Sequence, residues 1–236
     1  FGGREDLQYG LTGLIRVLHN LSFIEDPTRI LRAIRFEQRY QMGIEPQTLR
    51  LLTEAVNQGV LNKVSNARLW EEIKHILTEP RAGKMLERLF NLEVWPYLFP
   101  GVEFKDVQPY LLRLAECIST INSWGFQDPQ QKWLPYLIAI LHRSQWETAA
   151  GICAKYNVAK RQSEKIFTTI SGWEDILLVI SDMPQGTPAS KPTVPVLSLP
   201  SESYPLLLTM MDSDWLVKRF RSLLQAIKSS KPTING

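Results

Sequence analysis

Apolar residues recur at three- and four-residue spacing along most of the chain, which predicts helices almost throughout. The first strong start is Asp26-Pro27, where Asp26 suits an N-cap and Pro27 the first helical position, having no N–H to leave unsatisfied. Ile30, Leu31 and Ile34 then mark an apolar side, and Ile44-Glu45-Pro46-Gln47-Thr48 breaks the helix. A second helix is predicted over Thr48–Val56, with Leu49, Leu51, Leu52 and Val56 apolar. Ser65 reads as the cap of a third, facing Arg68, with Trp70, Ile73 and Leu77 along one face. Further helices are predicted over Ala82–Leu92, Pro109–Ser123, Lys132–Arg143, Trp146–Tyr156 and Lys160–Ile170, with Pro and Gly marking the breaks. From Asp182 to Pro200 the chain turns to proline and small polar residues and reads as an extended linker or a disordered surface loop, after which helices resume from Ser201 to near Met211 and over Trp215–Lys228.

Composition narrows the setting. A chain of 236 residues that is 44% hydrophobic can bury a core as one large or two small domains. The net charge is only +3, so contact with nucleic acid must come from local patches. Candidate patches are Arg81, Lys84 and Arg88, and Lys155, Lys160, Arg161 and Lys165, although solvated faces are commoner; Lys218, Arg219 and Arg221 cluster on the last helix. Cys117 and Cys153 lie in apolar helical patterns and are expected as buried, reduced thiols. No window is long and apolar enough to cross a bilayer and no signal-peptide pattern opens the chain, so a cytoplasmic location away from membranes is expected. Phe90, Trp95, Tyr97, Phe99, Phe126, Trp133, Tyr136, Trp146 and Trp173 could stack on bases, but their helical spacing favours the core. His19, His75 and His142 are isolated, and no Cys/His cluster offers a metal site.

The charges at the first helix start are placed on one face. Asp26 and Arg29 are three apart, Glu25 and Arg29 four apart, and Arg29 and Arg32 three apart. A carboxylate beside a guanidinium offers an acceptor next to donors. Adenine matches it with N6–H₂ beside N1, and cytosine with N4–H₂ beside N3, whereas guanine and uracil present the reverse order. One Asp–Arg pair can therefore take A and C and refuse G and U, with a bidentate contact worth roughly 1–3 kcal/mol of discrimination. Glu25 would orient Arg29. Taken alone, D-x-x-R is an ordinary intrahelical ion pair on a capped helix.

The whole run Val17-Leu18-His19-Asn20-Leu21-Ser22-Phe23-Ile24-Glu25-Asp26-Pro27, continued through Arg29, Arg32, Ala33, Arg35 and Phe36, resembles the nucleotide-selecting motif E-D-P-x-R-x-x-R-A-x-R-F of the class II tRNA nucleotidyltransferase and poly(A) polymerase family. It is most similar to bacterial A-adding or CCA-adding members. The resemblance implies that Asp26 and Arg29 read the base and that Arg32 supports the nucleotide. Gly2, Gly3 and Asp6 resemble the family's flexible G-G-x-x-D-L loop, and Ile15-Arg16 fill the place of an I-R pair that follows it. Arg68 and Glu72 match an R-x-x-x-E segment that steadies the nucleotide helix from behind; an intrahelical pair is the plain alternative.

Nucleotidyl transfer needs carboxylates that hold two metal ions. In the family these form a D-x-D in a head ahead of the flexible loop, whereas the D-x-D here, Asp212-Ser213-Asp214, reads as helix caps. The resemblance therefore implies one part of a longer enzyme, inactive by itself, whose head binds Mg2+ and whose substrates are ATP, with CTP as a second candidate. The expected fold is an all-α elongated multi-helix array without a sheet. Residues 1–80 would be the neck with flexible loop and template helix, 81–180 an RNA-holding body, 181–200 the linker, and 201–236 the start of a tail. The implied reaction adds AMP, and CMP in a CCA-adding member, to the 3′ end of tRNA gripped at acceptor end and elbow. A bacterial poly(A) polymerase and a non-catalytic helical RNA-binding scaffold are the alternatives.

Overall fold

The computed structural model describes residues 13–126, 131–182 and 199–230. Gly2, Gly3 and Asp6 of the expected flexible loop lie outside them, as does most of the expected linker. The described residues form an all-α fold of twelve α-helices with two short 3-10 helices, as the periodicity predicts. One small departure is a parallel pair of two-residue strands, β1 (Leu14–Ile15) and β2 (Gly43–Ile44). They flank α1 (Ser22–Glu25) and α2 (Thr28–Tyr40), so the extended backbone entering and leaving this helical hairpin closes on itself. The Gly43 N–H donates to the Gly13 carbonyl at 3.2 Å and the Glu45 N–H to that of Ile15 at 2.9 Å.

α2 buries Thr28, Ile30, Leu31, Ala33 and Ile34 and leaves the other face polar. α3 (Pro46–Asn57) starts two residues before the predicted Thr48, because Glu45 caps it with Pro46 in the first position. Glu45 Oε2 accepts the Thr48 N–H at 2.9 Å and its hydroxyl at 2.7 Å. Thr48 Oγ1 in turn accepts the Val17 N–H at 3.1 Å, which ties the exit of β1 to α3.

A 3-10 turn (Val60–Lys63) leads to α4 (Asn66–Leu77), capped as predicted by Ser65, whose Oγ accepts the Arg68 N–H at 3.4 Å. α2 lies against α4 and α5 (Ala82–Asn91). After α6 (Trp95–Leu98) comes α7 (Phe104–Ser123), which α5 crosses so closely that a β-carbon at Gly83 would overlap the Leu111 carbonyl oxygen. α7 starts at Phe104, ahead of the predicted Pro109: burial of Phe104 and Val107 extends the Leu111–Leu114 stripe toward the N-terminus and outweighs the one bond Pro109 cannot make.

α8 (Leu134–Leu141) is buried along its whole length, and α9 (Trp146–Lys155) follows. α10 (Lys160–Asp182) runs past the predicted end at Ile170, since Trp173, Ile176 and Ile180 carry the buried stripe across Gly172. A 3-10 turn (Ser201–Ser203), α11 (Tyr204–Thr209) and α12 (Asp214–Ser230) complete the described chain. At α12 the cap is Ser213, whose Oγ accepts the Leu216 N–H at 3.3 Å, and not one of the flanking aspartates.

The apolar residues form two cores. The first runs from Phe23 through the faces of α2–α9 to Ile166 and Leu206; the second gathers Cys117, Ile121, Trp173, Ile176 and Ile180 with α11 and Phe220, Leu223, Leu224 and Ile227 of α12. Cys117 and Cys153 are buried and free, and burial pushes the Cys117 thiol up to about 11. Among the described residues no helix is long and apolar enough to cross a membrane.

Candidate nucleotide-selecting site

The polar start of α2 carries the site. Asp26 stands just before the helix, with Pro27 in the N-cap position and the first helical residue at Thr28, one step later than the sequence suggests. Its capping role holds: Asp26 Oδ1 accepts the Thr28 N–H at 3.3 Å and the Thr28 hydroxyl at 2.7 Å. Arg68, reaching over from the first turn of α4, donates to the same oxygen at 2.9 Å. Burial raises the carboxyl's hold on its proton, but the Thr28 hydroxyl and the Arg68 charge outweigh it and keep Asp26 below the usual carboxylate range. Its Oδ2 lies 3.9 Å from Arg29 Nε, and Arg29 donates through Nη1 to the Ser22 carbonyl at 3.3 Å. An acceptor and a guanidinium thus stand side by side, both partly open to solvent.

The other sequence candidates divide. Arg32, one turn along the face from Arg29, is exposed, and its side chain makes no hydrogen bond or ion pair among the described residues. Glu25 turns to His19 at 3.5 Å, and Arg29 is oriented by Ser22 and Asp26 in place of the expected Glu25. Arg68 and Glu72 do not pair with each other. Arg68 goes to Asp26, and Glu72 lies 4.0 Å from Arg35, so α4 holds α2 at two points.

Three further contacts fix the polar face of α2, none of them evident from spacing. Glu79, just beyond α4, accepts from Arg35 at 3.4 Å and from Arg39 at 3.1 Å. Arg88 of α5 makes a bidentate pair with Glu37, at 2.9 and 3.0 Å. The signal for Thr28 was present, since a hydroxyl two residues after Asp is a common local partner.

The basic stripes read from the sequence are largely spent within the fold. Lys84 pairs with Glu87 at 3.0 Å and Arg88 with Glu37. Lys155 donates to the Tyr97 carbonyl at 2.6 Å, Lys165 pairs with Glu202, and Lys160 lies 4.0 Å from Glu164. On α12, Arg219 and Arg221 lie over the rings of Trp215 and Trp124, and Lys228 over that of Phe126. Trp95, Phe99, Tyr136 and Trp173 are core residues as expected, whereas Trp146 is half exposed against Phe167. No group of three or more His, Cys, Asp or Glu that could hold a metal occurs among the described residues.

Comparison with known proteins gives this geometry a context. Residues 41–105 match a family model described as the probable RNA and SrmB-binding site of polymerase A. The chain is 32% identical over 185 residues to the A-adding tRNA nucleotidyltransferase of Geobacter sulfurreducens, covering 77% of this chain and 20% of that protein. It is 42% identical over 152 residues to that of Aquifex aeolicus, covering 62% and 18%. Among solved structures, a CCA-adding enzyme with ATP matches with a TM-score of 0.83 at 32% identity, over 100% of this chain and 55% of that one. The Thermotoga maritima CCA-adding enzyme complexed with tRNA matches with a TM-score of 0.81 at 30% identity, over 100% and 56%. The chain thus spans about a fifth of the curated relatives' length and about half that of the solved chains.

Proposed function

The chain belongs to the class II tRNA nucleotidyltransferase and poly(A) polymerase family, and from that we propose that it carries the nucleotide-selecting helix of an enzyme that adds AMP to the 3′ end of tRNA. The observation that carries this reading is the Asp26–Arg29 pair, an acceptor beside a donor at the open start of α2. Asp26 accepts the amino N–H of adenine, and Arg29 donates to the neighbouring ring nitrogen; cytosine offers the same order, so a CCA-adding parent would use the pair for CTP as well. Arg32 supports the nucleotide, and Arg68 and Glu72 hold Asp26 and α2 still.

The parent enzyme's Mg2+ belongs, on this reading, to carboxylates of a catalytic head and not to these residues. Residues 1–80 then serve as the neck, 81–180 as the RNA-holding body, 181–200 as a linker and 201–236 as the start of a tail. The chain alone is expected to be inactive, and the whole protein to work in the cytoplasm on tRNA. Support for tRNA comes from the relatives' names and from the neighbouring structure complexed with it.

The poly(A) polymerase reading is favoured by one observation, the polymerase description of the model matched by residues 41–105. Incorporation by the whole protein on tRNA ending before CCA, after C and after CC, with ATP and CTP supplied separately, decides between them. Addition of A only after CC marks an A-adding enzyme, stepwise C, C, A a CCA-adding one, and long A tails on unrelated RNA a polymerase. No incorporation at all would mark a scaffold. In the same assay Arg29→Ala is expected to lower the preference for ATP over GTP by about tenfold or more, the weight of one bidentate base contact, with little loss of stability. Unchanged preference and rate would overturn the base-reading assignment.

A further inference from the structure

The two oxygens of Asp26 are not equivalent. Oδ1 receives three donors, the Thr28 hydroxyl at 2.7 Å, the Thr28 N–H at 3.3 Å and Arg68 Nη2 at 2.9 Å. A carboxylate oxygen has about two lone-pair sites, so Oδ1 is full, and Oδ2, beside Arg29 at 3.9 Å, is the oxygen left for a ligand. Thr28 is buried, 4% exposed, and its hydroxyl has no other hydrogen-bond partner among the described residues.

This asymmetry bears on which bases are refused. A free carboxylate offers two acceptors side by side, and guanine presents two adjacent donors, N1–H and N2–H₂, that fit such a fork. Uracil presents a single donor between two acceptors and gains nothing from a second oxygen. We infer that Thr28 is a specificity-determining positioning residue: by holding Oδ1, with Arg68, it reduces Asp26 to one available acceptor and so excludes guanine. The inference rests on the Asp26–Arg29 reading above. The terminal torsion of an aspartate is soft, so without the hydroxyl the carboxylate can turn and present both oxygens.

The test uses the whole protein on tRNA ending in CC, with ATP, GTP and UTP supplied separately to wild type, Thr28→Val, Thr28→Ser and Asp26→Ala. Thr28→Val keeps shape and backbone N–H but loses the hydroxyl. GMP incorporation relative to AMP is expected to rise about tenfold, the size of one charge-assisted hydrogen bond, while UMP incorporation stays at the wild-type ratio. Thr28→Ser is expected to restore the exclusion. A GTP/ATP ratio that does not move in Thr28→Val, or a UTP ratio that rises equally, overturns the inference. Should Thr28→Val fail to fold, Arg68→Met removes the other strong donor to Oδ1 from an exposed position and is expected to raise GMP incorporation in the same selective way; no rise overturns the inference equally. Asp26→Ala separates the two levels. If it leaves nucleotide choice intact, the base-reading pair itself is wrong; if it abolishes choice while the Thr28 and Arg68 variants keep the wild-type ratio, only the role of Thr28 falls.

Discussion

His142 is buried in a box of rings, edge-on to Tyr110 at 4.9 Å and to Trp173 at 5.4 Å. Its Nδ1 lies 2.8 Å from the Ala139 carbonyl, which assigns the proton of the neutral ring to that nitrogen, and Nε2 is buried without a partner among the described residues. Burial drives the pKa down from 6.5 to about 4; the Ala139 carbonyl opposes the shift and the Arg143 charge adds to it. Because the folded value is the lower one, the unfolded chain takes up the proton first. The contribution is fully present above pH 6.5 and is lost as pH falls through the window to about 4. At about 1.4 kcal/mol per unit, some 2 kcal/mol should disappear between pH 6.5 and pH 5. Urea unfolding at those two values checks this: the wild type should lose that amount and His142→Phe should not. An equal loss in both would place the acid sensitivity elsewhere.

α2 shows how element-level contacts hold a site that is itself built of few residues. Its apolar stripe sits on α4 and α5, while Glu72 and Glu79 take Arg35 and Arg39, and Arg88 takes Glu37 through both carboxylate oxygens. The Glu37–Arg88 pair is only partly exposed and depends on the planar fork of the guanidinium, so Arg88→Lys is not conservative. It should destabilise the fold by about 1–2 kcal/mol in denaturant unfolding, and Arg88→Ala by more, since Glu37 would then lie half buried with no counter-charge. A lysine that proves neutral would show that point charge suffices and that the fork adds nothing. Much of α2 was legible in the sequence, because Asp26, Pro27 and the Ile30–Ile34 stripe are local signals, and the i, i+3 spacing places Asp26, Arg29 and Arg32 on one face. The partners were not. Glu79 is 40 residues from Arg39 and Arg88 is 51 from Glu37, separations at which no periodicity can pair them. The starts and ends missed at α7 and α10 have the same origin: burial of Phe104 and of Trp173 overrode the local meaning of Pro109 and Gly172.

At the scale of the molecule, two cores are joined by two long helices that serve both, and Leu206 of α11 also reaches the first core. α7 gives Val107, Leu111 and Leu114 to the first and Cys117 and Ile121 to the second; α10 gives Ile166 to the first and Trp173, Ile176 and Ile180 to the second. Melting either core frees half of each shared helix, so the cores should unfold together in one transition. Lys165 of α10 adds a charged tie by pairing with Glu202 of the 3-10 turn that leads into α11. The two sides of that pair are not equal. Glu202 is 5% exposed, with one further contact to the Ser201 hydroxyl at 3.4 Å, whereas the Lys165 side chain is 20% exposed on a long flexible stem that can lift its ammonium into water. Lys165→Met therefore strands a buried carboxylate and should cost about 3 kcal/mol or more, while Glu202→Gln, which leaves Lys165 free to move, should cost less. Denaturant unfolding followed by tryptophan fluorescence and by far-UV circular dichroism tests both points. Coincident curves with the larger shift in Lys165→Met support the coupled cores and the unequal pair. Curves that separate, with one probe moving alone in the variant, would mean that α11 and α12 melt as their own unit and that the shared helices do not transmit the loss.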